Sequence, residues 1–105
     1  MEYNKLVRDK IPEIIIENGS TPITHIATGE EIFEMLKLKL TEEMKEYLES
    51  NDPEELADIL EVIYSLAQYQ NITIQEIEKI RLEKKEKRGG FSQNIILEKT
   101  IDPKK

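Results

Sequence analysis

The chain has 105 residues, 38% apolar and 35% charged, with a net charge of −7. That length suits a single domain, residues 1–105, but so polar a chain makes a thin core alone, so burial between subunits is expected. The acidic balance excludes binding to a nucleic-acid duplex by bulk electrostatics, and the absence of cysteine excludes disulfides, thiolate ligands and a cysteine nucleophile.

Residues 1–10 are polar and charged, unlike a secretory leader, and together with the missing cysteine this fits a cytoplasmic protein. Pro12 suits the first turn of a short helix reaching Asn18, with Gly19 as its stop. Residues 20–27, STPITHIA, read as a loop or short strand. Thr28 with Glu31 predicts a capping box, which opens a helix running to about Ser50. Asn51, Asp52 and Pro53 break the chain. Asp52 is a good N-cap and Pro53 a good first residue for a helix to about Gln70, with Glu55 placed to close a second capping box. Thr73 with Glu76 repeats the device and starts a last helix that ends at Gly89–Gly90. The tail carries NIILEKTI (Asn94 to Ile101), a candidate strand or an arm laid on another subunit. Apolar runs are short, as at Ile14–Ile16 and Ile95–Leu97, so none spans a membrane. The fold expected is all-α, with four helices.

Acidic residues crowd into 30–61, while basic ones gather at 5–10 and 81–88. An acidic centre flanked by basic arms suits a cation and an anion held together. Helical residues turn by about 100° each, so directions can be counted. With Leu36 at zero, Ile32, Phe33, Leu40 and Tyr47 lie within about 60° of it and define an apolar stripe. Glu43 falls at about −20°, inside that stripe, and Glu46 at about −80°, on its shoulder. Glu42 and Glu49 lie further toward solvent. A carboxylate inside an apolar stripe must be neutralised, paired or bound to a cation.

On the next helix, with Leu56 at zero, Leu60, Ile63 and Ala67 form the stripe, and Ile59, Val62 and Leu66 widen it. Glu55 lies at about −100° and Asp58 at about −160°, and the tight break sets the two helices antiparallel. Glu43, Glu46, Glu55 and Asp58 therefore converge as oxygen donors without His or Cys, which suits Mg²⁺, or Mn²⁺ in its place. The plain alternatives are a solvated acidic face for Glu42 and Glu49, a cap for Glu55, and helix-end cations for Lys84 to Arg88. His25, alone in a loop, reads as structural or exposed. Tyr47, Tyr64 and Tyr69 read as core or interface residues.

EExxE (Glu42, Glu43, Glu46) followed by ExxD (Glu55, Asp58) resembles the signature of the all-α nucleotide pyrophosphohydrolases. That superfamily includes MazG, dimeric dUTPases and phosphoribosyl-ATP pyrophosphohydrolase. YNKLVRDKIPEII (Tyr3 to Ile15) and KEKRGGF (Lys85 to Phe91) resemble the end motifs of its small house-cleaning members. The resemblance implies a MazG-like four-helix bundle assembled as a homodimer or homotetramer. It implies metal-binding carboxylates at Glu43, Glu46, Glu55 and Asp58, with Glu42 supporting them. Lys5, Arg8, Lys10, Lys85 and Arg88 would contact substrate phosphates. The implied reaction is Mg²⁺-dependent hydrolysis of a nucleoside triphosphate at its α–β anhydride to monophosphate and pyrophosphate. Glu43 or Glu46 would orient or deprotonate the water. The eight residues between Glu46 and Glu55 favour compact members. Two other readings stand: phosphoribosyl-ATP as the substrate, and a non-catalytic helical oligomer with a structural cation site.

Overall fold

A computed structural model describes residues 3–103. These residues form four helices and no strand: α1 (Ile11–Glu17), α2 (Glu30–Ser50), α3 (Pro53–Tyr69) and α4 (Ile74–Arg88). The chain divides into two compact units, Met1–Ile74 and Gln75–Lys105. Among the described residues no helix is long and apolar enough to cross a membrane.

The first unit is built on an α2–α3 hairpin. Asn51 ends α2 in the left-handed region (φ 57°), its N–H donating to Tyr47 O at 2.7 Å. Asp52 then caps α3 by accepting from Glu54 N at 3.0 Å, and Pro53 fills the first turn. Two residues thus reverse the chain, so α3 runs back along α2. At the far end Phe33 stacks on Tyr69 with ring centroids 5.1 Å apart, and the Tyr69 hydroxyl donates to Gly29 O at 3.2 Å. Leu36, Val62 and Ala67 are the buried apolar residues between these ends. α1 is short, starts beside Pro12 and closes on Gly19 (φ 89°) with a Ser20 N–H to Ile15 O bond of 3.1 Å. Residues 20–28 are loop.

Three expectations are corrected. The capping box at Thr28 does not form: the N-cap of α2 is Gly29 (φ 58°), and Thr28 accepts from Glu31 N through its backbone carbonyl. The Glu31 carboxylate turns instead to His25, 3.1 Å from its Nε2. On α3, the face turned to α2 is centred on Val62, Ile59 and Leu66 rather than on Leu56. Leu56 and Leu60 remain 50% and 45% exposed, and Ile63 is also exposed. Finally, residues 94–101 form no strand; Ile95, Ile96, Leu97 and Ile101 lie exposed in the second unit. In that unit α4 ends at Gly89 (φ 82°), whose N–H donates to Lys85 O at 2.7 Å.

A candidate metal centre on the helix hairpin

Rotation of α3 toward its Val62 face carries Glu55 to the middle of the seam, with Asp58 one turn on. Both are half-buried and face Glu43 of α2. Two carboxylate trios result: Glu42, Glu43 and Glu46 on α2, and Glu43, Glu55 and Asp58 across the hairpin. Within each, one oxygen per residue lies within 4.8 Å of the others, and Glu43 belongs to both. All four predicted ligands are thereby brought together.

Glu43 is only 7% exposed, the sole charged residue among the buried ones described. Its Oε1 accepts from Lys39 Nζ at 3.2 Å, while Oε2 is sealed from solvent and has no hydrogen-bond partner. Glu55 Oε2 is orphaned in the same way. Glu55 is not used as a cap, because the Asp52 N–H that a capping box would offer it donates to Ser50 Oγ at 3.1 Å. A buried acceptor without a donor costs about 1–3 kcal/mol, so two of them in one cluster leave a deficit that a donor or a cation would offset.

The charges describe the same strain. Burial of its carboxyl, then the charge of Glu46 and the nearness of Asp58, push Glu55 up to about 7. Glu46 is also raised, by loss of solvent first and then by Glu43. Glu42 goes the other way: burial opposes its ionisation, but Lys5 and Lys39 outweigh that and lower its pKa. Lys39 is raised because Glu43 and Glu42 overcome its own desolvation. The donor set is oxygen throughout and carries surplus negative charge, the chemistry that fits Mg²⁺ or Mn²⁺.

The cations divide unevenly. Lys5 Nζ donates to Glu42 Oε1 at 3.1 Å, and an Arg8 guanidinium nitrogen donates to Asp58 Oδ1 at 2.6 Å, so residues 5–8 straddle both helices at the acidic end. Lys10 is exposed at the start of α1. Lys85 and Arg88 are exposed in the last turn of α4, in the second unit. Lys39 was missed by the sequence reading, although it lies at about −60° from Leu36, on the stripe it shares with Glu43. Glu49 is exposed, as is Glu61. Glu61 lines an open groove of about 620 Å³ with Tyr64, Gln68 and Ile72 that contains none of the clustered carboxylates. No family model matches the chain, and neither does any curated protein or solved structure.

Proposed function

We propose that this chain is a MazG-like nucleotide pyrophosphohydrolase that hydrolyses a nucleoside triphosphate at its α–β anhydride, a house-cleaning activity in the cytoplasm. The observation that carries the reading is the buried, unpartnered Glu43 Oε2 facing Glu55 and Asp58 across the hairpin. A helical seam that needed only stability would place an apolar residue there.

Glu43, Glu55, Asp58 and Glu46 would hold Mg²⁺, which supplies charge to offset the phosphates and acidifies a water. The chain's own groups do the rest. Glu46 is exposed and its pKa is raised, so it is suited to take a proton from the attacking water. Lys39 keeps Glu43 oriented with one oxygen paired and the other bare. Lys5 and Arg8 border the cluster and can meet the outer phosphates; Lys10, Lys85 and Arg88 would add to that charge in the assembled protein.

Assembly belongs to the same proposal. Leu56, Leu60 and Ile63 leave an apolar face on α3, and a homodimer or homotetramer would cover it while completing a four-helix bundle. Pyrophosphate release with Mg²⁺ across canonical and modified triphosphates, with phosphoribosyl-ATP as one member of the panel, tests the reading. Release that disappears in Glu43→Gln supports it. Full activity in that variant refutes the site, and absence of release with any substrate leaves a structural cation site as the better account.

A further inference from the structure

We infer that Arg8 is the resident counter-ion of the candidate metal centre: it holds Asp58 until a divalent cation arrives, and is then released to the anion that follows. This rests on the metal-centre reading above. Three cationic side chains neutralise the cluster, and they are not equivalent. Lys39 is 17% exposed and bonded to both Glu42 and Glu43, so it is anchored within the fold. Of the clustered carboxylates Lys5 pairs with Glu42, which lies outside the trio that crosses the hairpin. Arg8 pairs with Asp58, a member of that trio, at 2.6 Å, and its side chain is 57% exposed.

Arg8 therefore occupies a carboxylate that the metal requires, through a contact it can leave at little cost. An exposed pair of this kind contributes little stability, whereas an ion bound by several carboxylates gains from all of them. Asp58 shares the cross-hairpin trio with Glu55 and Glu43, and Arg8 is the cation paired with it. Once replaced, the guanidinium sits at the edge of the cluster with its donors free. Its planar fork matches two oxygens of a phosphate. Loading of the centre thus frees the group that recruits the polyanion, giving an order to binding: cation first, then phosphates. Because the site is available only when Arg8 has let go, its presence lowers apparent metal affinity by the fraction of time it spends on Asp58.

The test uses calorimetry on the full chain with Mg²⁺ alone and then, at saturating Mg²⁺, with inorganic pyrophosphate. Arg8→Met is compared with Lys10→Met, which removes the same charge from the same segment. Arg8→Met is expected to bind Mg²⁺ about two- to fivefold more tightly, and pyrophosphate at least about tenfold more weakly, with smaller changes for Lys10→Met. In the unaltered chain, the Arg8 Nε–H resonance, assigned by its loss in Arg8→Lys, should move to the position of a free guanidinium as Mg²⁺ is added. Equal metal affinities in the two variants, weaker Mg²⁺ binding in Arg8→Met, or a resonance that ignores Mg²⁺ would each overturn the exchange while leaving the metal centre standing. No Mg²⁺ binding by the unaltered chain would remove both.

Discussion

Substitution of Glu43 by Gln separates a metal ligand from a carboxylate kept for structure, because the two predict opposite signs for stability without metal. Glu43 Oε2 and Glu55 Oε2 are both buried without a donor. Each such acceptor costs about 1–3 kcal/mol. The Gln amide has nearly the shape of the carboxylate but brings an N–H₂ among acceptors that lack one. It also removes one negative charge from both trios. Against that gain, Lys39 loses its charged partner at 3.2 Å, although it keeps Glu42 at 3.3 Å. The balance favours the variant by about 1 kcal/mol, or a rise of about 4 °C in Tm for a chain of this size. With Mg²⁺ present the order inverts. A ligand at one hundred times its Kd adds about 2.7 kcal/mol to the native protein, and Glu43→Gln should lose most of that. The assay is thermal unfolding by circular dichroism, with and without Mg²⁺. If Glu43→Gln is less stable than the native chain without metal, and its Mg²⁺ response is intact, the carboxylate is there for structure and the argument fails.

Glu55 should make metal-free stability depend on pH. Its folded pKa of about 7 lies above the ordinary 4.5, so the folded state holds the proton more tightly. The stability it contributes is full below about 4.5 and is lost as pH rises through about 7; Glu55→Gln should flatten that decline in urea titrations at pH 5 and pH 8, and parallel declines would contradict it. Asp52→Ala removes the side chain that caps α3 at 3.0 Å. It should cost about 1 kcal/mol of stability while leaving Mg²⁺ affinity within about twofold, read by unfolding and calorimetry. Replacing Leu56 and Leu60 by Lys should lower the sedimenting mass toward the 12.3 kDa of one chain; a native protein that already sediments at that mass would refute the proposed assembly.

The sequence made the helices legible because their ends are written in local chemistry. Asp52–Pro53 and the positive-φ Asn51 act within a few residues, and the structure places α3 where they say. Thr28 failed for an equally local reason. Gly29 takes φ 58°, ψ −131° between Thr28 and the helix, and that turn, with His25 competing for Glu31, removes both halves of the box. Glu43 was legible from periodicity because α2 has one apolar stripe. The α3 helix has apolar residues around more than half its circumference, so its pattern cannot say which arc faces α2. The structure turns Val62 inward, and that arc also brings Glu55 and Asp58 to Glu43. The Arg8–Asp58 contact spans fifty positions in the sequence and was legible only as a like-signed basic arm, without its partner.

The two ends of the hairpin seam differ in what fills them. Toward Gly29 the seam is apolar, with Phe33 stacked on Tyr69 and Leu36 buried. Toward Asn51 the positions that would extend that core are held by Glu43 and Glu55, each with a buried oxygen that finds no donor. Each carboxylate there displaces an apolar side chain whose burial would stabilise by about 1.5–3 kcal/mol, and adds repulsion besides. The apolar end must therefore hold the hairpin in register while the acidic end is under strain. The tight turn from Asn51 to Pro53 lies beside the carboxylates, and its two-residue connection limits the distance between Glu46 and Glu55 where electrostatic repulsion alone would splay the helices. The same repulsion explains why Lys39 is half-buried despite its charge, since among the described residues it is the cation paired with Glu43. A cation in the cluster would turn that strain into adhesion, so metal affinity and the stability of this end are one quantity measured in two ways.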